Sequence, residues 1–365
     1  MREQIIYSGK DSYKKIADIL AQVGSIRPML VCGSKSFDAL GINAFMRSLP
    51  VTFIRFSDFA PNPVYESAVK GVEVLRANQC DFVLAVGGGS AIDTAKCIRR
   101  FAGMNAKRDY LEQTVVNDTV PMAAMPTTAG TGSESTHFAV IYYQGMKYSV
   151  AGEDVLPEFV ILDPIGLNTI PEYQKKSCYL DALCQAIESW WSVRANEESI
   201  ACSKKALRLL LSNREAYFAN NASVYEEIML GSNYAGRAIN ITTTTAAHAM
   251  SYKLTSLYGI AHGHAVALCF PHVWQAMLPY LDREQKQTSL EIAKALDCQT
   301  IEEAIEWFAY LLKALNITAP EPAKDDIMLL TESVNLQRLK NNPVPLNTQE
   351  IRNIYHSVFS ICRRK

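Results

Sequence analysis

The segment "FVLAVGGGSAIDTAKCIRR", Phe82–Arg100, decides the fold. An apolar, β-prone run passes through three glycines directly into residues whose apolar positions recur at helical spacing. Gly87, Gly88, Gly89 and Ser90 therefore stand at a strand-to-helix junction. Glycine lets the backbone approach a ligand closely and adopt positive φ, and the helix behind it offers unpaired N–H groups and the positive end of its dipole. Such a junction cradles a pyrophosphate. The plainer reading is a tight turn without a ligand, since the run is not the G-x-G-x-x-G fingerprint.

Outward from this segment the first 165 residues alternate strand and helix patterns. Strands are expected at "PMLVCG" (28–33), "VTFIRF" (51–56), "FVLAVG" (82–87), "VPMAAMP" (120–126) and "FVILDP" (159–164). Between them "SYKKIADILAQVG" (12–24), "SFDALGINAFMRSL" (36–49) and "YESAVKGVEVLRANQ" (65–79) read as helices. This alternation predicts a parallel, doubly wound, Rossmann-like sheet. Beyond Pro164 the patterns are helical: 171–192, 195–213, 222–238, 264–281, 286–296, 301–315, 324–336 and 348–361. A chain of 365 residues exceeds one ordinary core. The expected organisation is an α/β nucleotide-binding domain over 1–165 and an all-α metal and substrate domain over 166–365.

Hydrophobic residues make up 48% of the chain, and 36 Lys and Arg stand against 37 Asp and Glu. This balance gives no broad footprint for nucleic acid or an anionic membrane, so an acidic ligand must be caught by a local pocket. No stretch approaches the roughly 18 apolar residues of a membrane helix, and "MREQIIYSGKDSYKK" has no signal-peptide core. A cytoplasmic protein is expected. The nine cysteines include no C-x-x-C pair and read as reduced core residues.

Two further segments carry chemistry. "MPTTAGTGSEST", Met125–Thr136, follows an expected strand and supplies five hydroxyl side chains from Thr127 to Ser135, enough to hydrogen-bond a ligand or simply to face solvent. Of six histidines, four fall within 25 positions: His248, His262, His264 and His272. His248 lies in the helical "AAHAMSYKL", whereas His262 and His264 follow the break in "LYGIAHGH". His272, after Pro271, reads as a helix-terminal or packing residue. In "YLDALCQAIESWW", Tyr179–Trp191, Asp181 and Gln185 stand four apart and share one helical face. A helical and a loop imidazole can converge with Asp181 on a divalent metal or a transferred proton.

Taken together, "GGGSAIDTAK", "PTTAGTGSE", "LDP" near 163, "DALCQAIE" and "HAMSYKLTSLYGIAHG" resemble the iron-containing (group III) alcohol dehydrogenases, from about "FAPNPVYE" to His272. The resemblance implies a dehydroquinate synthase-like architecture, a homodimer, and an NAD or NADP cofactor with its pyrophosphate on Gly87, Gly88, Gly89 and Ser90. It implies that Asp93 and Lys96 support the helix start. Thr127, Thr128, Thr131 and Ser133 match the family's second cofactor loop, and Lys147 matches a lysine near the nicotinamide ribose. Asp181, His248 and His262 match three of the family's four ligands to a divalent metal, Fe²⁺ or Zn²⁺. The fourth, a histidine in the family, is Gln185 here. Its amide oxygen is a weaker donor than imidazole but can still occupy a coordination position; the alternative is a metal-free pocket in which Gln185 bonds substrate directly.

Tyr252 stands where many members place a proton-relaying histidine, so the relay is expected through Tyr252, His264 or solvent. "LDALCQAIESWWSVRANEES" with "AGRAINITTTTAAHAMSYKLTSLYGIAHGHAVAL" is similar to the phosphonoacetaldehyde reductase (2-hydroxyethylphosphonate dehydrogenase) branch. Arg237, Thr243, Thr244 and Lys253 would then supply cationic and hydroxyl donors for a phosphonate; otherwise they are solvated charges and a helix cap. After "PMLVC", Gly33 takes the place of an acidic residue that would hold the ribose 2′-OH, so with Ser34 and Lys35 NADP is permitted. The implied reaction is metal-assisted hydride transfer to a small aldehyde. Rivals are a polyol dehydrogenase, a lyase of the dehydroquinate synthase type, and a cofactor-binding homologue without turnover.

Overall fold

A computed structural model describes residues 3–115 and 119–360, so Cys362 lies outside the described residues. The chain divides into two compact units, Met1–Pro171 with Glu215–Asn233, and Glu172–Arg214 with Tyr234–Lys365. The division expected at 165 thus falls a few residues later, and 215–233 joins the first unit, because one stretch of helical chain returns to it.

The first unit contains β1 (Ile5–Ser8), α1 (Lys15–Val23), β2 (Pro28–Cys32), α2 (Ser34–Asp38), α3 (Asn43–Ser48) and β3 (Ile54–Phe56). There follow α4 (Tyr65–Ala77), β4 (Phe82–Gly87), α5 (Gly89–Ala102), β5 (Met122–Pro126), β6 (Phe138–Tyr143), β7 (Met146–Ala151) and β8 (Phe159–Leu162). Six strands form a wholly parallel sheet in the order β1-β8-β5-β4-β2-β3. Every residue of β2, β4, β5 and β8 is buried, as continuous apolar runs of a sheet covered on both faces must be. Met29, Val31, Val83 and Ala85 pack towards α4 and α5, while Leu30, Leu84 and Val86 pack towards α1 and the α2–α3 region.

Three elements depart from expectation. β1 is a half-exposed edge strand of four residues, too short to read from its pattern. The helix expected over 36–49 is two helices, α2 and α3, separated at Gly41, whose φ is 74°. β6 and β7 form an antiparallel hairpin turned by Gln144 and Gly145 at φ 50° and 75°, the geometry of a two-residue primed turn.

The second unit is helical throughout its described residues. It is built from α6 (Glu172–Trp191), α7 (Glu197–Phe218), α8 (Tyr225–Thr242), α9 (Ala246–Tyr258), α10 (His262–Met277), α11 (Arg283–Ala295) and α12 (Ile301–Ala314). It closes with α13 (Asp326–Glu332), α14 (Leu336–Leu339) and α15 (Thr348–Ser360); α7 ends, and α8 begins, with residues of the first unit. Sixteen of the twenty α6 residues are buried, so this helix is the axis of the unit. All eight described cysteines are buried and free, as the cysteine reading expects. No described helix is long and apolar enough to cross a membrane.

Candidate metal centre and nucleotide-binding loops

In the first unit strand order reverses between β2 and β4, and the carboxyl ends of neighbouring strands there form the crevice where doubly wound sheets bind ligands. Cys32 pairs with Val86 and Gly87 with Pro126, so the loops at 33–35, 87–90 and 127–133 leave three adjacent strands side by side. Thr127 N–H donates to the Gly87 carbonyl at 3.0 Å. A Cβ at Gly88 would lie 3.2 Å from Thr128 Oγ1, and one at Gly89 only 2.9 Å from Thr131, so the glycine turn and the hydroxyl loop touch through the absence of side chains.

Asp93 and Lys96 brace this loop pair from behind. Asp93 accepts from Ser133 Oγ and from Val140 N–H, and Lys147 on the hairpin helps counter the effect of burial on its carboxyl. Lys96 Nζ donates to the Thr136 and Phe138 carbonyls at 2.7 and 2.8 Å. Burial pushes this amine down to about 8 against the pull of Asp93 and Glu134. Both residues therefore tie α5 to the loop and the hairpin. Beside Gly33, Arg55 donates to the Ser34 carbonyl at 2.8 Å and pairs with Asp38 at 3.1 Å. Arg55 was not legible in the sequence, because β3 shows only that it is a strand.

In the second unit Asp181, His248 and His262 come together, with ligand atoms all within 4.8 Å of one another. His248 Nε2 lies 3.2 Å from Asp181 Oδ1, and Gln185 Nε2 donates to the same oxygen at 3.2 Å. The spacing of four on α6 thus places Gln185 at the cluster, as its helical face requires. Two imidazoles and a carboxylate at this separation fit one small divalent cation, with the Gln185 amide beside them.

What holds the cluster is largely backbone close approach. A Cβ at Gly263 would fall 2.0 Å from the Ser177 carbonyl and 2.7 Å from Asp181 Cβ, so only glycine lets α10 lie against α6 and bring His262 to Asp181. Tyr173 Oη accepts the Ala261 N–H at 2.9 Å, just before α10 begins. Glu188, fully buried and two turns along α6 from Asp181, bonds His248 Nδ1 and also accepts from Thr245 Oγ1 and Ala247 N–H at 2.6 and 3.0 Å. Burial opposes charge on His248, yet Glu188 and Asp181 outweigh it and push the imidazole up to about 10. Burial likewise opposes charge on Asp181, but His262 and His248 hold its carboxyl below the usual range. Glu188 was missed at the sequence level, although its spacing from Asp181 and Gln185 put it on their face.

Other expected residues go elsewhere. His264 is not in the cluster: its ring nitrogens meet Tyr173 Oη at 2.9 Å and the Thr318 carbonyl at 3.0 Å, so both are committed to holding the start of α10. Tyr252 does reach the site, its ring lying 5.9 Å from that of His262 and nearly parallel to it. The guanidinium of Arg237 sits 5.2 Å from the Tyr234 ring and acts on the Cys202 thiol, among α7 and α8 rather than at the cluster. Asn341 Nδ2 bonds Thr243 Oγ1 and the Thr244 carbonyl, both at 3.1 Å, which makes that run a pinned turn into α9. Lys253 is half-buried on a different face of α9 from Tyr252. His272 is half-buried in the interior of α10, so it is not the helix-terminal residue that was one of its two expected readings.

Residues 3–164 match the model for iron-containing alcohol dehydrogenases, and residues 177–359 the model for the C-terminal part of that family. The chain is 25% identical to an NADPH-dependent butanol dehydrogenase of Clostridium saccharobutylicum across 97% of its own length and 96% of that protein. It is 35% identical to a phosphonoacetaldehyde reductase of Streptomyces viridochromogenes, and there the match spans 52% of each chain. A sulfoacetaldehyde reductase of Bifidobacterium kashiwanohense, solved in complex with NAD⁺, superposes with a TM-score of 0.90 at 25% identity, covering 99% of this chain and 98% of that one. Sheet order, helical second unit and matched family models agree, and the chain belongs to the iron-containing alcohol dehydrogenase family, as an oxidoreductase of that family.

Proposed function

We propose that this chain reduces a small aldehyde carrying a phosphonate to the corresponding primary alcohol, using NADPH and a divalent metal. The observation that supports this most is the convergence of Asp181, His248 and His262 within 4.8 Å. Asp181, His248 and His262 would hold the metal, with Gln185 as the fourth, weaker donor. When bound, such a metal supplies Lewis acidity towards a carbonyl oxygen. Glu188 holds His248 in one orientation, and Tyr252, stacked on His262, places a phenol next to the site as proton donor. Gly87, Gly88, Gly89 and Ser90 would take the pyrophosphate on backbone N–H groups at the start of α5, with Thr127, Thr128, Thr131 and Ser133 lining the same crevice and Lys147 on the nicotinamide ribose. NADPH is favoured because Gly33 brings no carboxylate to the ribose, while Ser34, Lys35 and the neighbouring Arg55 offer a hydroxyl and cations.

The match along the full length of a butanol dehydrogenase favours a second reading, a reductase of neutral aldehydes. Oxidation of NADPH and NADH by purified, metal-analysed protein with phosphonoacetaldehyde and with butanal separates the two. The phosphonate reading expects bound metal and a clear preference for NADPH and the anionic aldehyde. Preference for butanal transfers the assignment to the second reading, and no turnover with either rejects both. His262→Ala should lose metal and at least about 10³-fold in kcat while NADPH affinity, measured by fluorescence, stays put. Undiminished turnover in this variant removes the metal assignment. A homodimer in a reducing, cytoplasmic setting belongs to the same reading, and light scattering tests the dimer.

A further inference from the structure

A cation lies one phenol ring away from the candidate metal ligand His262. Arg338, on α14, donates from Nη1 to Tyr252 Oη at 3.1 Å, and its guanidinium carbon sits 5.2 Å from the Tyr252 ring centroid. Tyr252 in turn stacks on His262 with an interplanar angle of 13°. Arg338 is half-buried, and among the described residues no carboxylate pairs with it. Arg76 makes the same kind of phenol contact, with Tyr110, but spends its other terminal nitrogen on the Phe101, Ala102 and Met104 carbonyls. Arg55, Arg99 and Arg100 are each paired with an acid, and Arg237 is laid over an aromatic ring away from the cluster. A guanidinium that spends one nitrogen on a phenol keeps its other donors in the planar fork that matches a tetrahedral oxyanion. The partial desolvation of Arg338 strengthens any such pairing.

We propose that Arg338, steadied by Tyr252, is the anion-holding residue of the substrate site, selecting aldehydes whose short carbon chain ends in a phosphonate or sulfonate. This rests on the reading of the Asp181–His248–His262 cluster as the metal centre of an aldehyde reductase. In this scheme the aldehyde carbonyl lies at the His262 end and the oxyanion at the Arg338 end, alongside the Tyr252 ring that contacts both residues. It gives the role first expected of Arg237 and Lys253 to a residue far along the chain. Arg338 is a specificity-determining residue in this scheme. It takes no part in hydride or proton transfer.

The test has two arms. In the first, kcat/KM for phosphonoacetaldehyde and for butanal is measured on wild-type enzyme, Arg338→Ala and Arg338→Lys. The ratio of anionic to neutral substrate should fall roughly 10- to 100-fold in Arg338→Ala, the range of one charge-assisted pair, and only part of the way in Arg338→Lys, which keeps charge but loses the fork. In the second arm, calorimetry on the metal- and NADPH-loaded enzyme follows ethylphosphonate and ethanesulfonate, neither of which can be reduced. At least one should bind wild type and weaken by the same factor in Arg338→Ala; which one binds tighter identifies the oxyanion. An unchanged substrate ratio, or oxyanion binding indifferent to residue 338, overturns the proposal. Should wild type reduce neither aldehyde while ethylphosphonate binding still depends on Arg338, the reductase reading falls and the subsite stands. The converse pattern sinks the subsite and leaves the reductase.

Discussion

At the scale of single residues, the cluster depends on Glu188 as much as on its nearer members. This carboxylate is fully buried and meets three donors, His248 Nδ1, Thr245 Oγ1 and the Ala247 N–H, so it fixes both the ring orientation and the nitrogen that faces Asp181. Glu188→Gln should weaken metal binding by about 10- to 100-fold, read by competition with a chromophoric chelator. Equal affinity in variant and wild type would show that the ring is held by packing alone. Gln185 is the other decisive residue. Gln185→His replaces an amide by an imidazole at a position already in contact with Asp181, and should tighten Fe²⁺ or Zn²⁺ by about tenfold or more in the same assay. The sequence revealed Asp181, Gln185, His248 and His262 because helical spacing and residue chemistry suffice to suggest them. It could not reveal Arg338, since no periodicity links α14 to α9.

At the scale of elements, two close approaches set the geometry. α10 lies on α6 because Gly263 has no Cβ, and Gly263→Ala would drive a methyl into the Ser177 carbonyl. A backbone atom cannot rotate away, so this change should cost about 1–3 kcal/mol in chemical denaturation and lower metal affinity as His262 is displaced. In the first unit, Gly89→Ala meets the Thr131 side chain instead, at 2.9 Å. Its expected signature is weaker NADPH binding with metal content unchanged, since α5 and the hydroxyl loop must part slightly. The helix patterns gave α6 and α12 nearly to the residue; α10, expected over 264–281, runs His262–Met277 and so takes in His262, whereas the hairpin β6–β7 escaped notice. Its turn, Gln144–Gly145, carries only one glycine, and although β6 buries Ala139 and Ile141 on one face, its sequence FAVIYY is apolar or aromatic at every position, so no polar alternation marks it.

At the scale of the whole molecule, each unit has its own core and its own candidate ligand. Saturating metal, at about 1,000 times its dissociation constant, should add about 4 kcal/mol to the stability of the fold that binds it. Hydrogen exchange then ought to slow in α6, α9 and α10, whereas NADPH should protect β4, α5 and the loop after β5. Metal protection of α5 in place of α6 would contradict the ligand assignment. The sequence by itself determined the parallel sheet, the helical second half, the glycine junction and the candidate ligands Asp181, Gln185, His248 and His262. These follow from local spacing and residue chemistry, which are written in neighbouring positions. Tertiary structure alone decided that His264 turns away to Tyr173 and Thr318, that Arg237 packs over Tyr234, and that Glu188 and Arg338 take their places around His248 and Tyr252. Each of those outcomes depends on which helix packs against which, and that choice is made by close approaches such as Gly263 on Ser177, between residues far apart in the chain.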